Sequence, residues 1–96
     1  MKGGESMIKA ELVDKVAEKS GLTKKDSSKA VDAVFAAITE ALSSGDKVQL
    51  VGFGTFETRK REARKGINPR TREELDIPAK IVPVFRPGKA LRDSVE

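Results

Sequence analysis

The sequence predicts an α+β domain: a helical base, then a three-stranded antiparallel sheet that extends into a long β-hairpin arm. Three observations predict it. Apolar residues recur at helical spacing as far as about residue 44. After Asp46 the apolar period drops to two, the period of a strand. The stretch Arg59–Arg72 then carries seven basic residues (Arg59, Lys60, Arg61, Arg64, Lys65, Arg70, Arg72) and one acid, Glu62, around a turn-like Gly66-Ile67-Asn68-Pro69-Arg70-Thr71.

Taken in order, Met1–Ser6 reads as an extension or an expression scar, with Met7 as an alternative start. Residues 7–96 form one domain: a helical base over 7–45, a sheet over 46–88 with the arm at about 58–82, and a terminal helix over 89–95. Leu12, Val13, Val16 and Ala17 share one face of a first helix over 9–20, which Gly21 ends. Thr23 with Asp26 three residues on is a short-acid capping box that opens a second helix. Val31, Val34, Phe35, Ile38, Ala41 and Leu42 run along it to about Ser44, where Gly45 stops it. That helix is long for so small a domain, at about 30 Å.

Val48 and Leu50 alternate with Lys47 and Gln49 in a first strand, and Gly52-Phe53-Gly54 punctuates it before a second strand over Thr55–Arg61. Leu75, Ile77, Ile81 and Val84 suggest one returning strand. Pro78 lacks an amide donor and belongs where no ladder bond is needed, or at a bulge. Arg86-Pro87-Gly88 breaks the strand, and a helix follows from Gly88.

Composition removes several function classes. The 96 residues are 38% hydrophobic and 35% charged, with no cysteine and no histidine. Disulfide frameworks, thiolate zinc sites, thiol nucleophiles and the commonest general base are therefore absent. No apolar run approaches the roughly 20 residues that span a bilayer, so no membrane partner is expected. Cysteine usage fits a reducing cytoplasm. Gly52-Phe53-Gly54 is not followed by a third glycine or by Gly-Lys-Ser/Thr, so it is not a phosphate loop. Glu73, Glu74 and Asp76 are the residues a magnesium nuclease would use, but they lie beside arginines and are expected in cross-strand pairs. No enzyme activity, metal or cofactor is expected.

The arm contributes little core, which leaves about 70 residues, near the limit of independent stability. The second helix, with its wide apolar and alanine surface, is therefore expected to pack against a second copy. The four phenylalanines, Phe35, Phe53, Phe56 and Phe85, are expected in the dimer and core set, together with Val34, Ile38 and Leu42. The cationic arm points to a polyanion. At about ten residues per strand it is about 30 Å long, more than the width of a DNA groove. Single-strand readers stack bases on exposed aromatics, and the arm has none, which favours a duplex. Asn68 is the arm's only amide side chain, so sequence preference should be weak. Pro69 is either a plain turn former or an apolar wedge that unstacks a base step, with Ile67 widening the tip.

Gly52-Phe53-Gly54-Thr55-Phe56, Arg61, Arg64-Lys65-Gly66, Asn68-Pro69-Arg70-Thr71 and Phe85-Arg86-Pro87-Gly88-Lys89-Ala90-Leu91 together resemble the signature of bacterial histone-like HU proteins and integration host factor. The likeness runs from Met7 to Val95, and HU is the nearer member. The resemblance implies an intertwined dimer whose two arms reach around the DNA minor groove. It implies intercalation by Pro69 and DNA contact by the arm residues Arg59, Arg61, Arg64, Lys65 and Arg70, and Asn68 and Arg72 of the same arm are expected to join them. It further implies phosphate contact by Lys80, Arg86 and Lys89 at the arm base and body, and a body pair of Lys9 with Asp32 that trades its salt bridge for DNA in some members.

The function implied is a nucleoid-associated protein that bends and compacts double-stranded DNA with little sequence preference. The alternative is a sequence-preferring bender of the integration host factor type. A homodimer is expected, with a heterodimeric partner as the open alternative. Two positions depart from the pattern: Ile67 stands where a basic residue is common, and Arg72 where a tip glycine is common.

Overall fold

The structure, a computed structural model, describes residues 6–96, so the expected extension lies outside the described residues except for Ser6. The architecture is α+β. The chain divides into two compact units, one ending at Thr39 and one spanning Glu40–Glu96.

The first unit holds α1 (Lys9–Ser20) and most of α2 (Lys24–Ser43). Thr23 caps α2: its Oγ1 accepts from the Asp26 amide at 3.1 Å, satisfying one of the helix's orphan donors. Ion pairs Lys9–Asp32 and Lys24–Asp14 tie α1 to α2 in antiparallel order. Val13 of α1 and Val31 of α2 are the buried apolar side chains among the described residues, and Ser27 of α2 is fully enclosed. α2 ends on a two-bond cap. The Gly45 amide donates to Leu42 O at 3.0 Å and the Asp46 amide to Ala41 O at 2.9 Å, with Gly45 at φ 82°. Glycine takes this left-handed conformation without a Cβ clash.

The second unit is built on a three-stranded antiparallel sheet ordered β1-β2-β5, from β1 (Val48–Leu50), β2 (Gly54–Arg61) and β5 (Lys80–Pro87). A four-residue turn links β1 to β2, its Phe53 amide donating to Leu50 O at 2.9 Å. A second, two-stranded ladder joins β3 (Arg64–Ile67) to β4 (Glu74–Ile77). α3 (Lys89–Val95) follows, with Gly88 as its N-cap.

Three sequence expectations are corrected here. The single returning strand is two strands, β4 and β5, because Pro78-Ala79 interrupts the ladder. Proline has no amide to donate, and Glu62-Ala63 opens a matching gap on the outgoing side. Gly66 and Ile67 belong to β3 and pair with Leu75 and Glu74, so the turn proper is 68–73. Pro87 ends β5 in register with Gly54, so the strand breaks one residue later, at Gly88.

The residues expected in the dimer and core set are largely open in one copy. Val34, Phe35, Phe53 and Phe85 remain exposed in the single chain, and Ile38, Leu42 and Phe56 are only partly covered. Phe85 does hold an aromatic cluster, with ring centroids 4.7 Å from Phe56 and 5.4 Å from Phe53. One copy of so short a chain lacks the surface to cover these faces.

Candidate nucleic-acid interface

Strand alternation sorts the sheet into two unlike faces. Residues paired across antiparallel strands share a face, and successive residues alternate. The pairs Thr55–Arg86, Glu57–Val84, Arg59–Val82 and Arg61–Lys80 therefore lie on one side. The pairs Phe56–Phe85, Thr58–Pro83 and Lys60–Ile81 lie on the other. The first side gathers Arg59, Arg61, Lys80 and Arg86. The second is largely apolar, with Lys60 near its outer end.

Glu57 is the acid on the cationic side. Its Oε1 lies 2.9 Å from Arg86 Nε and its Oε2 3.7 Å from Lys47 Nζ, so one carboxylate pairs with both cations. Further out, Arg59, Lys60, Arg61, Arg64, Lys65, Arg70, Arg72 and Lys80 make no ion pair with the described residues. Of the expected cross-strand pairs, Asp76 stands opposite Lys65 in register without closing an ion pair, whereas Glu74 stands opposite Ile67. The positive field of the arm is left to an outside partner. Arg61, Arg64 and Lys80 converge with Glu62 and Pro78 on a cleft of about 590 Å³ at the gap between the two ladders.

The tip is a wound loop. Asn68 Oδ1 accepts from the Arg70 amide at 2.9 Å, Asn68 O from the Arg72 amide at 2.7 Å, and Glu73 O from the Asn68 amide at 2.9 Å. The Asn68 oxygen is thereby used by the fold, which accounts for an amide residue at this position without base reading. Pro69 is exposed at the end of this loop, and Ile67 is 68% exposed beside it. Arg72 has φ 61°, the left-handed conformation that favours glycine.

The body residues are less free than the arm. Lys89 Nζ is bound to Asp93 at 2.7 Å, Arg86 to Glu57, and Lys9 to Asp32. Lys9 belongs to the first unit, while the arm residues, Lys80, Arg86 and Lys89 belong to the second. Sequence reasoning missed Lys47 and Glu57. The alternation of Lys47, Val48, Gln49 and Leu50 is the local signal that could have placed Lys47 on the cationic side. Among the described residues, no group of three or more acidic side chains could hold a metal ion. No helix among them is long and apolar enough to cross a membrane.

This geometry has close relatives. DNA-binding protein HU of Geobacillus stearothermophilus is 67% identical over 90 residues, covering 94% of this chain and 100% of that protein. DNA-binding protein HU 1 of Bacillus subtilis is 62% identical, covering 93% and 97%. Anabaena HU cocrystallised with DNA superposes with a TM-score of 0.89 at 55% identity, over 93% of this chain and 97% of that one. HU from Thermotoga maritima gives a TM-score of 0.67 at 41% identity, over 94% and 100%. Residues 7–96 match the family model described as bacterial DNA-binding protein, and the chain belongs to that family, among the HU proteins.

Proposed function

We propose that the chain is a histone-like architectural protein that binds double-stranded DNA with little sequence preference and bends it. One observation carries the proposal: a two-stranded arm whose cations make no ion pair among the described residues ends in two exposed apolar side chains, Pro69 and Ile67. Unpaired cations along a ribbon neutralise backbone phosphates, and apolar side chains at its end enter a base step. The solved relative of Anabaena, which superposes over nearly the whole chain, is held in a crystal with DNA.

The working unit is a homodimer. Phe35, Phe53, Phe85 and Val34 are open in one copy, and a second copy supplies the cover that a chain of this size lacks. The phosphate contacts fall to Arg59, Arg61, Arg64, Lys65, Arg70, Arg72 and Lys80. Arg86 and Lys89 join them, and Lys9 joins by exchanging Asp32 for a phosphate. Its place of action is the nucleoid, and its part there is structural and not catalytic.

Salt dependence tests the reading. Neutralising about 5–8 phosphates gives a slope of log K against log salt near −5 to −7. A slope near zero on a random-sequence duplex would overturn it.

A further inference from the structure

We propose that Glu57, an acid on the DNA-facing side, is a positioning residue that holds Lys47 and Arg86 ready as a pair of phosphate contacts. The inference rests on the duplex-binding reading above and assigns two residues it does not use.

The Glu57 side chain is only 13% exposed, whereas those of Lys47 and Arg86 are each 62% exposed. The carboxylate therefore lies at the floor of the sheet, and the cations rise from it into solvent. Its two oxygens are divided, Oε1 taking Arg86 Nε and Oε2 facing Lys47 Nζ. With Nε as the nitrogen next to the carboxylate, the Nη groups are the donors left to fit a phosphate in a fork. Glu57 thus grips Arg86 from behind and spares the end that would meet DNA.

Two effects oppose one another. A carboxylate about 7 Å behind a phosphate repels it by about threefold in a water-like dielectric, less in salt. Ordering a long, rotamer-rich side chain at binding costs about two- to tenfold each, and Glu57 orders two of them beforehand. Positioning therefore outweighs repulsion. The expected sign is the reverse of simple charge counting: deleting this acid weakens DNA binding.

The experiment measures affinity for a random-sequence duplex across a salt series for the full chain, E57A, E57Q, R86A and E57A/R86A, with folding checked by circular dichroism. E57A is expected to bind about three- to tenfold more weakly, with a slope shallower by about 1–2. E57Q, whose amide oxygen can still take up the Arg86 Nε–H, should bind as the parent does or tighter. On the R86A background, E57A should lose much less. Tighter binding by E57A with an unchanged or steeper slope overturns the proposal.

Should E57A fail to fold, the Arg86 Nε–H resonance of the parent decides. Its persistence on adding DNA supports positioning, and its loss overturns it. A flat slope for the parent itself would instead sink the duplex-binding reading, a distinguishable failure.

Discussion

Gly54 leaves the place of its missing side chain to the Phe85 ring. A Cβ built on Gly54 would lie 2.6 Å from Phe85 Cζ and 2.7 Å from the Arg86 carbonyl oxygen. Both belong to β5, and the carbonyl cannot move without moving the strand. The clash is therefore borne by the sheet and not by a flexible side-chain end. A Gly54→Ala substitution should destabilise the protein by about 2 kcal/mol. Thermal unfolding should show a midpoint lower by about 10 °C at equal protein concentration.

The tip separates bending from affinity. Pro69 is a small part of the contact but stands at the end of the arm, so Pro69→Ala should leave most phosphate contacts in place. Bending of an end-labelled duplex, followed by energy transfer, should fall clearly, while affinity changes by less than about threefold. Equal bending by mutant and parent would remove the wedge.

Arg72 carries two opposing contributions. Its φ of 61° costs a side-chain-bearing residue about 1 kcal/mol, while its charge adds to the arm. Arg72→Gly should therefore slow hydrogen exchange at the Asn68 and Arg72 amides, which close the tip. It should also make the salt slope shallower by about one unit.

Thr23 is a local test of the helical base. Its Oγ1 is the side-chain acceptor for the Asp26 amide. Thr23→Ala should cost about 1 kcal/mol, whereas Thr23→Ser should cost little. Denaturant midpoints of the three proteins check the order.

The helices were legible because their signals are local. The spacing of Leu12, Val13 and Val16, the Thr23 cap and the Gly45 stop each sit within a few residues of what they control. The cationic arm was legible as a count of charges. Strand boundaries were harder, because a strand's extent depends on its partner. Nothing near Gly66-Ile67 says that they pair with Leu75 and Glu74. The grouping of Lys47, Glu57 and Arg86 was hidden for the same reason: register, not sequence proximity, brings Glu57 of β2, Arg86 of β5 and Lys47 just before β1 together. The phenylalanines show a different limit. Their apolar character predicts burial, but not that one copy of the chain leaves Phe35, Phe53 and Phe85 open.

The two-faced sheet also dictates where the length of this protein is able to vary. One residue inserted between Gly54 and Arg61 would turn every later side chain of that strand over, sending Arg59 and Arg61 toward the phenylalanines and Lys60 toward the nucleic acid. The same insertion among residues 68–73 would only lengthen a loop. Drift in chain length is thus confined to the tip, and the body of the ribbon is locked to an odd–even rule.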